Sequence, residues 1–471
     1  MDRGSILRRS SVKMPTNRCG LVGVFVLASL GLAEPGLAQT MEAALARAYA
    51  ANPTLNAERA SLRVTNENVP QALSGYRPTI VASADIGASI TDVRSPGLGS
   101  ATSRLGPRGA GVQIDQTIFD GGKTRSSVSQ AESQILGARA TLQNVEQNVL
   151  LDAATSYMNV LRDTAILTLN RNNVEVLDEQ LRQTRGRLQA GEITTTDVAQ
   201  AEARLSQARS QAILAESNLK TSIARYRQNV GAEPKQLAPG RPVERLLPKS
   251  LAVALNTALV RHPAIVASLH GVDAAELQVK VTQADLYPVL GVRGLVQRRN
   301  DEESFGDRQT SASVVGTLTI PIYEGGRIYS RTRQAKETAG QRRIEVDTQR
   351  DIVRAAVVSA WGTNEAAKAQ IAAAQVQVRA AETALAGVRE EARAGQRTTL
   401  DVLNAQQELV VARSTLVTAQ RDRVVASYAA LSAIGQLSVE KLRLKTEVYN
   451  SRQHYDQVKG LLWGTQTPDG R

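Results

Sequence analysis

The sequence predicts a mainly α-helical, internally duplicated fold with a small β part. Aromatic residues make up only 3% of the 471 residues, whereas alanine is abundant and suits long, closely packed helices. No proline lies between Arg108 and Glu233 or between Ile322 and Thr467, so both stretches permit unbroken helices. Landmarks of the first half recur in the second half at a constant spacing, which indicates two copies of one structural unit.

The N-terminal segment has the pattern of a secretory signal peptide. Basic residues precede an apolar run at 21–32, and Gly36, Leu37 and Ala38 place small residues at the two positions that a signal peptidase reads. We predict that residues 1–38 are removed on export; an uncleaved membrane helix is the alternative. Because Cys19 is the only cysteine, the exported chain would contain no disulfide.

Composition argues against several classes of function. The excess of 57 Lys and Arg over 45 Asp and Glu is not interleaved with aromatic residues, so we expect a solvated surface and no nucleic-acid partner. One Cys and three His, with neither C-x-x-C nor H-x-x-x-H, predict no metal site and no cofactor. The lack of a nucleophile–base pair or phosphate loop predicts no enzyme. After the leader, the sequence contains no run of about 20 apolar residues. It therefore predicts no helical membrane span.

The duplication defines the predicted domains. The repeat offset is 210 residues at two prolines and 204 residues at two Gly-Gly pairs, so a loop between them is longer in the first copy. We predict a first repeat at 39–240, a second repeat at 241–437 and a C-terminal tail at 438–471 without a counterpart. The corresponding helix–strand junctions are Pro78, Gly121 and Gly122 in the first copy and Pro288, Gly325 and Gly326 in the second.

Each copy is predicted to run helix, strand, loop, strand, long helix, turn, helix. The long helices, 123–189 and 327–393, would each span about 100 Å. Apolar residues with many alanines then recur at spacings of three and four, at Val198, Ala201, Leu205, Ala208, Ala212, Ala215 and Leu219, and again 204 residues later. This heptad seam predicts antiparallel helices packed side by side, either in a tube of helices or in an ordinary coiled coil.

The predicted strands alternate apolar and polar residues. They cover 79–90 and 112–118 in the first copy and 289–296 and 312–322 in the second, with polar, glycine-rich loops at about 91–109 and 297–310. One apolar and one polar face is the pattern of outer-membrane barrels. A half-buried soluble hairpin is the rival interpretation.

Four strands cannot close a membrane barrel, because the smallest barrels have about eight. An open sheet edge in lipid would leave backbone N–H and C=O groups unpaired, at several kcal/mol each. If the strands span a membrane, several chains must therefore share one barrel. The long helices would continue it as an α-barrel, and a tube of this kind would serve as a conduit.

The layout, the Gly-Gly junctions and the segment Ala394–Leu409 resemble the TolC family of outer-membrane efflux and secretion channels. The resemblance covers about Gln39 to Leu437. It implies a homotrimer in the outer membrane of a Gram-negative bacterium, with a twelve-stranded β-barrel above an α-barrel that extends into the periplasm. The implied partners are a periplasmic adaptor (membrane fusion protein), an inner-membrane transporter of ABC or RND type, and outer-membrane lipid. The run that begins at Arg397 looks more like the type I secretion subgroup than the drug-efflux subgroup.

The turns between the long and the following helices are the predicted periplasmic tips, where an adaptor would dock. Gly191 and Gly395 have the positions of left-handed C-caps. Four further residues form two predicted capping boxes, Thr194 with Asp197 and Thr398 with Asp401.

The resemblance also implies a gate at these tips. Asp401 matches a ring of acidic residues near the pore axis, whereas Asn404 stands where the family has a second acidic residue. Three carboxylates around an aperture would repel one another, raise some pKa values and favour cations. Arg397 matches a latch residue, with Thr196 or Asp197 as expected partners. Helix capping for the aspartates and a solvated charge for Arg397 are the alternatives.

Two other functions compete with the duct. A periplasmic adaptor also has long helical hairpins, but it would have a lipoyl-like β-domain and one hairpin instead of a full duplication. A coiled-coil structural protein of the envelope is the third possibility.

Overall fold

The computed structural model describes residues 39–97 and 99–470, so the predicted signal peptide lies outside the described part of the chain. The first copy comprises α1 (Met41–Ala51), α2 (Pro53–Asn66), α3 (Asn68–Leu73), β1 (Thr79–Ile86), β2 (Ser89–Ser95), β3 (Gly99–Leu105), β4 (Arg108–Phe119), α4 (Lys123–Gln189) and α5 (Thr195–Val230). The second comprises α6 (Leu251–Arg261), α7 (Pro263–Ala284), β5 (Val289–Asn300), β6 (Arg308–Thr319), α8 (Arg327–Arg393) and α9 (Thr399–Ala433). Two short helices follow, α10 (Val439–Leu442) and α11 (Gln453–Val458).

The two long helices have the predicted lengths. Helices α4 and α8 each contain 67 residues, which corresponds to about 100 Å. Much of the heptad seam of the following helices is buried, at Ala201, Leu205, Ala208 and Ala215 in α5 and at Val402, Leu409, Ala412 and Ala419 in α9, whereas Ala212, Leu219, Ala405 and Leu416 are half-buried. The sequence pattern therefore predicts the helical hairpins α4–α5 and α8–α9 correctly.

The duplication extends to polar pairs across each hairpin. In the first hairpin the Arg209 guanidinium lies 3.1 Å from an Asp178 carboxylate oxygen. At the positions 204 residues later, Arg413 lies 2.8 Å from Glu382. The two hairpins therefore share one register, which the apolar seam and the charged pairs both maintain.

The four long strands form one antiparallel sheet in the order β1-β4-β5-β6. This confirms the four predicted strands of the main sheet but corrects the loops. The strand predicted to reach residue 90 ends at Ile86. A separate hairpin of β2 and β3 occupies the last two residues of that predicted strand and most of the loop predicted at 91–109. The Gly87 N–H donates to the Pro107 carbonyl oxygen at 2.8 Å, and Pro107 has no N–H to continue the main ladder. The second loop is shorter than predicted, because β5 continues to Asn300.

The register gives the sheet two different faces. Ile80, Ile114 and Val314 point to one face, where their side chains are 66%, 43% and 80% exposed. The opposite face carries both acidic residues of the four strands, each paired with an arginine of β5. An exposed apolar face opposite a charged one is the arrangement of a sheet with lipid on one side and water on the other.

One stretch of the described residues, Leu251–Ala284, is long and apolar enough to cross a membrane as a helix, whereas the sequence predicted none. The chain turns within it. His262 has an extended backbone, with φ −64° and ψ 127°, because Pro263 disfavours helical geometry in the residue before it. The stretch is therefore two helices, α6 and α7, and α7 packs along α4 and α8.

The C-terminal tail, which has no counterpart in the repeats, belongs to the main hydrophobic core. Val439 and Leu444 are buried among residues of α1, α2 and α4. The backbone N–H of Tyr449 donates to the Tyr49 hydroxyl at 3.0 Å, and the Arg59 guanidinium lies 4.5 Å from the Tyr49 ring centroid. The domain boundary at 240/241 stays a prediction.

Candidate gating site at the helix tips

The two tip turns have the same backbone. Gly191 and Gly395 adopt φ values of 75° and 76°, a region that glycine enters without steric cost. Beyond each glycine, the next N–H bonds back to the last helical turn: Glu192 to the Arg187 carbonyl at 3.0 Å and Gln396 to the Glu391 carbonyl at 2.9 Å. These contacts end the long helices as the sequence predicts.

Capping boxes then start α5 and α9. The Thr194 N–H donates to an Asp197 carboxylate oxygen at 3.0 Å, and the Thr398 N–H donates to Asp401 at 2.9 Å. Backbone and hydroxyl hydrogen bonds from Thr398 hold the pKa of Asp401 below its usual range, and those from the Thr194 hydroxyl and backbone lower that of Asp197. Within one chain, the pKa values of these two carboxyl groups are therefore shifted downwards, because helix capping favours the ionised form. This is opposite to the raised pKa values expected for a ring of carboxylates.

Arg397 does not reach either of its expected partners within the chain. Its Nε atom lies 2.8 Å from a Glu391 carboxylate oxygen, across the tip turn. Thr196 is exposed, and Asp197 is engaged with Thr194. The Arg397 side chain therefore forms its ion pair within its own tip turn. A contact from Arg397 to another hairpin stays a prediction.

A contact that the sequence analysis missed joins the two hairpins just above the tips. Arg204 of α5 donates to the Asn404 side-chain oxygen of α9 at 2.9 Å. One residue earlier, Leu403 is 2% exposed and packs into the cluster of Leu177, Leu181, Ala201, Leu205 and Ala208 in the first hairpin. A second apolar stripe, Leu403 and Val410 at a spacing of seven, lies beside the predicted seam and is the signal that could have revealed this contact.

Two further polar contacts continue the seam between the hairpins. Gln406 of α9 donates to the Asn173 side-chain oxygen at 3.4 Å, and the Arg421 Nε donates to Asn159 at 2.8 Å. From Asn404 to Arg421, the polar contacts that cross between the hairpins are these three side-chain hydrogen bonds, which accompany apolar packing of α9 on the first hairpin. Such hydrogen bonds contribute about 0.5–1.5 kcal/mol each.

The predicted helix–strand junctions also have matched geometry. Pro78 and Pro288 directly precede β1 and β5. The two Gly-Gly pairs all have positive φ, at 68° and 82° for Gly121 and Gly122 and at 61° and 79° for Gly325 and Gly326. A Cβ atom on Gly121 would lie 2.6 Å from the Tyr287 Cβ, so the first junction also packs tightly against the end of α7.

Among residues 39–97 and 99–470, no group of three or more His, Cys, Asp or Glu side chains is placed to hold a metal ion.

Comparison with known proteins assigns the chain to a family. The family model described as outer membrane efflux protein matches residues 44–232 and 254–436. The outer membrane efflux protein BepC of Brucella suis biovar 1 is 42% identical over 443 residues, which cover 93% of this chain and 94% of the relative. The outer membrane protein TolC of Escherichia coli K12 is 26% identical over 84% of this chain and 82% of its own.

Solved structures agree with the fold. The outer membrane channel CmeC of Campylobacter jejuni superposes with a TM-score of 0.76 at 16% identity, over 89% of each chain. The duplicated layout of long helices continuous with a small sheet is therefore the fold of outer-membrane channels. The family match and the relative BepC favour the duct over the adaptor and coiled-coil alternatives. The family is one of channel proteins, not of enzymes. The chain belongs to the outer membrane efflux protein family and is an exit duct for efflux or type I secretion in the outer membrane of a Gram-negative bacterium.

Proposed function

We propose that three copies of this chain form one duct, with a twelve-stranded barrel in the outer membrane and an α-barrel in the periplasm. The single observation that carries this proposal is the four-stranded sheet, whose outer strands β1 and β6 each have one unpaired edge. In lipid those edges need partners, and identical neighbours supply them by pairing β6 of one chain with β1 of the next. Twelve strands leave room for a passage, whereas eight leave an interior that side chains fill.

The duct would receive its substrates from an inner-membrane transporter of ABC or RND type through a periplasmic adaptor. A groove of about 700 Å³ supports adaptor docking. It runs between the two helical hairpins, and amide and apolar side chains line it, including Gln211, Leu214, Gln377 and Val411. A helical hairpin of an adaptor fits a groove of this kind through apolar knobs and amide hydrogen bonds.

Adaptor docking would open the tips by a population shift. In the closed state, Leu403 and the bond from Arg204 to Asn404 hold the second hairpin against the first. An adaptor that binds the separated hairpins more tightly than the closed ones would favour the open state. A ring formed by Asp401 from each chain would still favour cations, and its carboxylates would stay ionised to lower pH than free aspartate because of their capping.

We expect Arg204→Ala to increase the conductance of the purified duct in planar bilayers. Each lost bond costs about 0.5–1.5 kcal/mol, so three symmetric losses raise the open-to-closed ratio roughly 10- to 2000-fold. Leu403→Ala should act in the same direction, and Arg397→Ala combined with Asp401→Ala tests the predicted gate residues.

Arg185→Ala is the matched control. Arg185 pairs with Glu202 at 2.6 Å within the first hairpin, so its loss removes a similar contact near the tip without freeing the second hairpin. Conductance equal to that of the unchanged protein in both Arg204→Ala and Leu403→Ala would overturn the gate.

A further inference from the structure

The arginines of the four-stranded sheet fall into two groups. Arg293 and Arg299 lie on the charged face, where they pair with Asp115 at 2.7 Å and with Asp85 at 3.1 Å. The remaining three lie on the apolar face: Arg108 on β4, Arg298 on β5 and Arg308 on β6. No acidic residue of the four strands shares that face with them.

These three arginines are close together at one end of the sheet. Arg108 and Arg308 both pair with Asn300 of the strand between them, so their Cα atoms are about 10 Å apart. Arg298 lies two residues from Asn300 on that central strand, about 7 Å away along it. Three guanidinium groups can therefore converge on one or two anionic groups.

The cluster lies at the end of the sheet away from the helices. Every strand of the sheet joins a helical segment at its other end, where β4 leads into α4 and α7 leads into β5. Because the helices extend from the inner side of the membrane in the proposed assembly, the arginines mark the outer rim. Residues 110–118 of β4 separate the cluster from the helices by about 26 Å along the strand. If the strand is tilted by about 40° from the membrane normal, this distance corresponds to about 20 Å along that normal. That is close to the height of an apolar barrel band, about 25 Å.

Among the described residues, only one arginine of the cluster has a carboxylate within ion-pair distance, although acidic residues of the adjacent loop 301–307 lie nearby in the sequence. Arg108 lies 3.2 Å from Asp301, whose side chain is only 11% exposed. Neither Arg298 nor Arg308, both exposed, forms an ion pair with another described residue. Two unpaired cations on an apolar face are costly in hydrocarbon but favourable beside anionic headgroups.

We propose that Arg108, Arg298 and Arg308 bind the phosphate groups of the phosphorylated glycolipid in the outer leaflet, lipopolysaccharide. Its acyl chains would lie against the apolar face beneath the cluster, where Val112 and Val296 are 45% and 58% exposed. Arginine suits this role because its planar fork matches phosphate oxygens with two parallel hydrogen bonds. The inference rests on the proposed outward orientation of the apolar face.

The test is native mass spectrometry of the detergent-purified oligomer with three lipid probes. The probes are diphosphoryl lipid A, monophosphoryl lipid A with the same acyl chains, and phosphatidylglycerol as an anionic lipid of another class. We expect diphosphoryl lipid A to bind most tightly. The double variant Arg298→Gln with Arg308→Gln should bind it roughly thirtyfold more weakly, since each basic residue near an anionic lipid surface contributes about fivefold.

Arg299→Gln is the matched control, because it removes the same charge one residue away on the opposite face. It should retain binding, and replacing Arg298 and Arg308 with lysine should restore part of it. Equal binding by the unchanged protein and the double variant would overturn the proposal, as would an equal loss in Arg299→Gln or no preference over phosphatidylglycerol. The mass of the same oligomer reports its subunit number, so failure of lipid binding is distinguishable from failure of assembly.

Discussion

A chain that ends after Leu437 is expected to yield almost no assembled protein in the outer membrane. The truncation removes Val439, Leu444 and Val458, which are 2%, 8% and 0% exposed. Burial of each such side chain stabilises the fold by about 1.5–3 kcal/mol, so the combined loss is roughly 4.5–9 kcal/mol. This is comparable to the whole stability of a typical domain, about 5–15 kcal/mol.

The truncation also removes polar partners of the core. The backbone N–H of Val439 donates to a Glu146 carboxylate oxygen at 3.0 Å, and this carboxylate is left without that donor in a half-buried site. The measurement is the amount of detergent-stable oligomer in outer-membrane fractions, together with its trypsin resistance.

A chain that ends after Leu462 is the control for this truncation. It loses only the last residues, beginning with Trp463, whose side chain is 87% exposed. It also keeps Leu461, whose carbonyl oxygen accepts a hydrogen bond from Arg77 at 2.9 Å. We expect this shorter truncation to assemble like the full chain. Equal assembly of both truncated chains would show that the tail does not stabilise the core.

Gly121→Ala is expected to be the most damaging single substitution at the helix–strand junctions. The residue has φ 68°, which costs a non-glycine residue about 1–2 kcal/mol. The new methyl carbon would also lie 2.6 Å from the Tyr287 Cβ and 2.9 Å from the Ala284 carbonyl oxygen. Neither atom is the end of a flexible side chain, so the junction between β4 and α4 must shift away from α7. The expected result is a lower thermal midpoint of the oligomer and a reduced yield.

The duplication supplies the control for this substitution. Gly325, the equivalent residue of the second copy, has φ 61°, but a methyl group there would have no neighbour within 4 Å among the described residues. Gly325→Ala should therefore show only the backbone cost. If the two substitutions lower the thermal midpoint equally, the contact with Tyr287 has no part in stabilising the first junction.

The helical part of the fold follows from local rules, which explains why the sequence predicts it so closely. A helix continues until a residue interrupts it, and the long helices α4 and α8 end at the predicted residues because Gly191 and Gly395 stop them. The capping boxes at Thr194 and Thr398 are equally local, since each needs only four consecutive residues. Because the sequence contains two copies of the unit, each helix, turn or cap that is predicted at equivalent positions in both copies is supported twice.

Features without local or repeated signals could not be predicted. Beyond Ile90 the sequence of the β2–β3 hairpin is mostly polar, so no apolar alternation distinguishes that part from a loop. The tail has no counterpart in the repeats. The bond from Arg204 to Asn404 joins residues 200 positions apart, and only the packing of one hairpin on the other brings them together.

The central claim is that the sheet of one chain cannot be sealed in lipid and that three chains share a barrel. The most direct measurement is the mass of the detergent-extracted particle, determined without denaturation and compared with that of the denatured chain. We predict a particle of three chains that forms conducting pores in planar bilayers. A stable, water-soluble single chain after export, or a particle of two chains, would contradict the account.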